Sequence, residues 1–117
     1  MKIGIPKEIK IHEYRVGMVP ASVKEAVLHG HTVYVETLAG TGIGCSDEDY
    51  IAVGAQIVNS AQAVFELADM IVKVKEPQPS ERMLLRKGQI LFTYLHLAPD
   101  KEQTQDLINS GAICIAY

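Results

Sequence analysis

Three basic side chains, Arg15, Lys75 and His96, are of the types needed to hold and transform a small acid. A guanidinium offers a planar fork of N–H donors that fits a carboxylate, an ammonium supplies a point charge, and an imidazole gives or takes a proton near neutral pH. Together they suit a 2-oxo acid, with the carboxylate on the cations and the carbonyl oxygen on the imidazole. Taken singly, each has a plainer reading: a solvated loop arginine, an edge lysine, a structural histidine. Position raises the trio above that. Each follows a segment that reads as a β-strand, and in a parallel α/β sheet the ligand crevice lies outside the carboxyl ends of the strands. Lys73 alternates with Lys75, so in a regular strand both face one side and Val72 and Val74 the other. Lys75 is preferred as the residue nearer the loop, and Glu76 beside it is expected to be solvated.

Other chemistries find little support. Gly40, Gly42 and Gly44 sit between a strand and a helix, but a G-x-G-x-x-G loop starting at Gly40 needs glycine at Cys45. No acidic residue stands about twenty positions further on, where Asn59 and Ser60 are found. The cluster reads as a turn, leaving no cofactor-binding residue in this segment. His29 and His31 lack a third ligand in metal spacing, and no Gly-x-Ser-x-Gly or Cys-His arrangement is present. A net charge of -3, with no long run among the 11 basic residues, speaks against a nucleic-acid partner. No apolar run approaches the ~18 residues of a membrane span, so no membrane partner is expected. Cys45 and Cys114 read as reduced thiols, Cys114 buried in the run Ala112 to Ala116, which fits a cytoplasmic setting.

The elements that must position the trio are legible. With 48% hydrophobic and 21% charged residues over 117 positions, the chain should fold as one unit. Six β-branched runs read as strands: Lys2 to Ile5, Thr32 to Glu36, Ala55 to Val58, Met70 to Val74, Gln89 to Leu95 and Ala112 to Ala116. Four or five helices alternate with them. One opens at Pro20, carries Val23, Ala26 and Val27 on a stripe and stops at Gly30. Another starts from Ser46 with Asp47, Glu48 and Asp49 in its first turn and ends at Gly54. A short one covers Ser60 to Leu67, and the last runs from Asp100, with Gln103 completing a capping box, to Ser110 before Gly111. Pro77 and Pro79 mark a loop. This βαβα order predicts a three-layer α/β fold, a mostly parallel sheet with helices on both faces. The chain stops at Tyr117 straight after an apolar strand, so residues 1–117 are expected to be the first portion of a longer domain.

The opening Ile3-Gly4-Ile5-Pro6-Lys7-Glu8, followed by Glu13-Tyr14-Arg15-Val16 and Pro20-Ala21, resembles the alanine dehydrogenases and the α subunit of proton-translocating nicotinamide nucleotide transhydrogenase. Val72-Lys73-Val74-Lys75-Glu76-Pro77 and Gly88-Gln89-Ile90-Leu91-Phe92-Thr93-Tyr94-Leu95-His96-Leu97-Ala98 resemble the alanine dehydrogenase versions. The likeness covers essentially the whole chain. It implies a flavodoxin-like, Rossmann-related fold and the reversible conversion of L-alanine, NAD and water to pyruvate, ammonium and NADH. It implies that Arg15 and Lys75 bind substrate and that His96 is catalytic. NAD would be bound mainly by a domain of the same polypeptide beyond Tyr117, and the family implies a homo-oligomer, commonly a hexamer. The isolated segment is expected to be inactive. Two alternatives remain open on the sequence: the transhydrogenase domain, and a non-catalytic α/β binding module.

Overall fold

A computed structural model describes residues 1–117. Its six strands are β1 (Lys2–Ile5), β2 (Thr32–Glu36), β3 (Gln56–Val58), β4 (Met70–Val72), β5 (Ile90–Thr93) and β6 (Ile113–Ala116). The helices are α1 (Pro20–Leu28), α2 (Asp47–Ala52), α3 (Ala61–Leu67), α4 (Pro79–Arg82) and α5 (Lys101–Ser110), with a 3-10 turn at Thr41–Ile43. Every strand pair is parallel, in the order β3-β2-β1-β4-β5-β6. Without the three-residue edge strand β3, the other five run 2-1-3-4-5, the flavodoxin-like order.

Period-two alternation explains the three layers. Along β1, Ile3 and Ile5 enter a core with Val23 of α1, Val33 and Val35 of β2 and Tyr50 of α2. Gly4 between them faces α3. A Cβ there would sit 2.6 Å from Val64 Cγ1 and 2.7 Å from the Ala68 Cβ, so only glycine lets the helix lie this close. Ile71 of β4 and Leu91 of β5 face that second side, packing with Val64, Phe65 and Leu107 in a separate core. Each fully buried Val, Ile, Leu or Phe is worth about 1.5–3 kcal/mol relative to exposure, so the two cores together hold both helix layers on the sheet.

The helix ends follow the sequence closely. Pro20 is the first residue of α1 and Gly30, at φ +87, follows its C-cap. Ser46 and Asp49 form a reciprocal capping box on α2. Asp100 accepts from the Gln103 N–H, but the Gln103 side chain does not complete the box. Its amide donates instead to Leu95 O at 2.7 Å, tying α5 to the segment that leaves β5.

Four expectations need correction. β4 ends at Val72 rather than Val74, because Lys73 N still donates to Phe92 O whereas the N–H groups of Val74 and Lys75 turn to a side chain. β5 spans Ile90–Thr93 rather than Gln89 to Leu95, and Pro79 opens a short helix, α4, instead of marking only a loop, Pro77 remaining in the loop. Cys114 is half-buried rather than buried, since β6 is an edge strand with one neighbour.

Candidate functional site

The order of the sheet reverses between β1 and β4, and the loops that leave these two strands flank the resulting crevice. Arg15 lies in the loop after β1 and Lys75 in the loop after β4. The two line one cavity of about 260 Å³ with Val74, Tyr94 and Tyr117. His96 lies on the next loop, after β5, but does not line this cavity; it reaches it through Tyr94. The Tyr94 hydroxyl is 2.9 Å from His96 Nδ1, and the rings stack with centroids 5.6 Å apart. Lys75 Nζ sits 5.4 Å from the centre of the same Tyr94 ring, within cation–π range. Tyr94 thus touches both sequence-predicted residues of the two adjacent loops.

Backbone geometry makes the Tyr94–His96 contact possible. Residues two apart in a strand share a face, but Leu95 between them is buried in the second core and β5 has already ended at Thr93. His96 takes φ 51, the left-handed region, which costs a non-glycine residue about 1–2 kcal/mol. That turn folds its imidazole back against the phenol ring.

Arg15 is not free. Its Nε donates to Glu13 Oε2 at 2.9 Å and its Nη2 to Glu13 Oε1 at 2.7 Å, while the Arg15 backbone N–H donates to Oε2 at 3.0 Å. The guanidinium hydrogen bonds hold the Glu13 carboxyl well below its ordinary 4.5, at about 2, and the carboxylate in turn pushes the guanidinium upward. The Arg15 side chain is 64% exposed, whereas that of Glu13 is 5% exposed. The Nε edge of the fork is therefore occupied, and Nη1 remains for a ligand.

The Arg15 loop is pinned at two glycines. A Cβ at Gly42 would lie 2.2 Å from Tyr14 O, and one at Gly17 would lie 2.4 Å from Val72 O. Gly40 and Gly42 of the glycine cluster serve packing, whereas Gly44 has open space and a positive φ. Side-chain space at Gly40 is filled by Tyr50 and Cys45, and at Gly42 by Tyr14.

Lys73 and Lys75 do not share a face. With β4 ended at Val72, Lys73 turns inward, where its Nζ is 3.1 Å from Glu8 Oε2 and 3.0 Å from Glu81 Oε2, all three side chains no more than 2% exposed. Glu76 is not solvated either. It pairs with Lys10, and its side chain is 12% exposed. His29 and His31 lie at the far edge of the sheet, His29 Nδ1 2.8 Å from Glu25 O and His31 Nδ1 3.2 Å from the amino terminus. Sequence reasoning missed Tyr94, Glu13 and Glu8. Two of these flank predicted residues by two positions, a local signal that spacing alone does not separate from ordinary loop polarity.

A six-stranded parallel sheet with cationic and phenolic side chains gathered at its switch point defines a doubly wound α/β domain of the ligand-binding kind. Residues 4–117 match the family described as "Alanine dehydrogenase/PNT, N-terminal domain", and the chain belongs to that family. It is 53% identical over 117 residues to an alanine dehydrogenase of Methanococcus maripaludis, covering all of this chain and 31% of that protein. A solved L-alanine dehydrogenase superposes with a TM-score of 0.97 at 53% identity, over all of this chain and 32% of the other. A transhydrogenase from Sinorhizobium meliloti superposes with a TM-score of 0.92 at 28% identity, over 99% of this chain and 33% of the other. The chain thus spans about a third of the length of these relatives. No helix is long and apolar enough to cross a membrane.

Proposed function

We propose that this chain is the first part of the substrate-binding domain of an NAD-dependent L-alanine dehydrogenase. The reaction is L-alanine, NAD and water to pyruvate, ammonium and NADH, in either direction. In this reading Arg15 and Lys75 take the substrate carboxylate and carbonyl region, and His96 exchanges the proton at the substrate oxygen. The single observation that carries it is the cavity at the switch point, where Arg15 and Lys75 from separate loops meet beside the Tyr94–His96 pair.

The chemistry asked of this chain is binding and proton transfer. Two cations neutralise a carboxylate in a partly enclosed site, where each charge-assisted hydrogen bond is worth more than in open water. An imidazole beside the reacting oxygen can protonate it during amination and deprotonate it in reverse. The hydride acceptor NAD is assigned to a later domain of the same polypeptide, since Gly40, Gly42 and Gly44 lack the spacing of a dinucleotide loop. A reduced cytoplasmic setting and a homo-oligomer, hexameric by family likeness, belong to the same proposal.

The transhydrogenase reading keeps the fold but has no small acid to process, and leaves the Tyr94–His96 pair without a task. Assaying the full-length polypeptide for alanine-dependent reduction of NAD separates the two. Activity with alanine supports the dehydrogenase; hydride exchange between nucleotides without alanine turnover would establish the alternative. A non-catalytic module would show neither.

A further inference from the structure

The segment that carries Lys75 leaves the sheet at Val72, yet none of its backbone polar groups is loose. Lys73 N donates to Phe92 O at 3.1 Å. Beyond that, every partner from Lys73 O to Lys75 O is a side chain. The Tyr117 hydroxyl lies 2.8 Å from Lys73 O and 3.1 Å from Val74 O. Val74 N donates to Glu8 Oε2 at 3.2 Å, Lys75 N donates to Glu8 Oε1 at 2.9 Å, and Thr93 Oγ1 donates to Lys75 O at 2.8 Å. Glu8 is central: it comes from the loop after β1 and spans the switch point to grip the loop after β4.

Holding that carboxylate there is costly. Glu8 is 2% exposed in its side chain, and its countercharge is Lys73, 1% exposed, which is shared with Glu81. Burying such a cluster of ionisable groups usually does less for stability than an apolar packing of the same volume. Two carboxyls share one lysine, burial pushes the Glu81 carboxyl above its ordinary pKa, and Glu81 Oε2, though 3.0 Å from Lys73 Nζ, lacks hydrogen-bond alignment.

We propose that Glu8 is a positioning residue for Lys75, with Lys73 as its countercharge and Glu81 holding the Lys73 ammonium in place. This rests on the reading of Lys75 as a substrate-binding residue. A carboxylate with two oxygens can accept from two successive N–H groups at once, which fixes both the path of the backbone and the direction in which Lys75 leaves it. Tyr117 and Thr93 close the other side. Lys75 then meets its ligand with the backbone already ordered.

The test uses full-length enzyme and four variants, with Tm, KM for pyruvate and KM for NADH measured for each. Glu8→Gln has one acceptor oxygen where two are needed, and KM for pyruvate is expected to rise about tenfold or more with KM for NADH within about twofold. Glu8→Gln with Lys73→Met and Glu81→Gln removes every ionisable group of the cluster but restores no second acceptor, so Tm should recover while KM for pyruvate stays raised. Recovery of both would overturn the proposal, because it would reduce Glu8 to a countercharge. Unchanged KM in Glu8→Gln would overturn it too. Lys75→Ala separates this failure from failure of the site itself: a raised KM there with none in Glu8→Gln sinks only the role of Glu8, whereas no change in Lys75→Ala sinks the site and this inference with it. Should Glu8→Gln not fold, Thr93→Val removes the donor to Lys75 O without altering charge. The same selective rise in KM for pyruvate is then expected, and its absence would count against the proposal.

Discussion

Glu13 and Arg15 face each other edge to edge, with Nε and Nη2 of the guanidinium each 2.7–2.9 Å from a separate carboxylate oxygen. One flank of the fork is thus satisfied within the loop before any ligand arrives. An incoming carboxylate meets an oriented cation, and the Nη1 side is the one it can approach.

The Glu13 carboxyl should therefore titrate at about 2 instead of 4.5. Because its pKa is lower in the folded protein, the pair contributes fully above about 4.5 and is lost as pH falls from there through about 2. Carboxyl-carbon NMR on glutamate-labelled protein reads this directly. Arg15→Gln should return the midpoint toward 4.5, and an ordinary midpoint in the unaltered protein would mean the pair does not persist in solution.

Gly42 and Gly44 should behave oppositely when replaced by alanine. At Gly42 the added carbon would press on Tyr14 O at 2.2 Å, displacing the residue next to Arg15, so full-length Gly42→Ala should raise KM for pyruvate about tenfold. Gly44 has open space around it but φ +77, so alanine there should cost about 1–2 kcal/mol of stability and leave KM alone. Thermal melts and steady-state kinetics on the two variants decide the matter. Equal effects on KM would show that the packing against Tyr14 does not control the loop.

Tyr94→Phe keeps the ring under Lys75 and beside His96 but removes the hydroxyl 2.9 Å from Nδ1. That contact couples the hydroxyl to Nδ1 and so bears on which ring nitrogen carries the proton. The variant should lose about tenfold in kcat with KM for alanine within about twofold, because tautomer and ring orientation matter in the chemical step more than in binding. Tyr94→Ala, which also removes the cation–π contact, should raise KM as well. A Phe variant with full kcat would leave the hydroxyl without a part in the reaction.

Much of this was legible in the sequence, and what was not has physical causes. Strand and helix identity followed from β-branched runs and from punctuation at Pro20, Gly30, Ser46, Gly54 and Gly111, where local chemistry fixes the backbone. The trio was placed at the right edge because parallel strands put their following loops there. Three things escaped. The end of β4 at Val72 depends on Glu8, 65 residues from Lys73, and no local signal announces so distant an acceptor. The fate of Glu76 depends on Lys10, equally remote. The left-handed turn at His96 is a property of the folded loop, and it decides that the imidazole reaches the cavity through Tyr94 instead of lining it.

The most direct test of the account is kcat for L-alanine oxidation by full-length His96→Ala, measured beside its melting temperature. His96 is exposed and its side chain contacts Tyr94, so removing the imidazole should leave Tm within a few degrees of the parent. General acid–base assistance is typically worth about 10² to 10⁴ in rate, and a fall in that range is predicted. A variant that melts like the parent yet loses less than about tenfold in kcat would contradict the claim that this crevice carries the proton transfer.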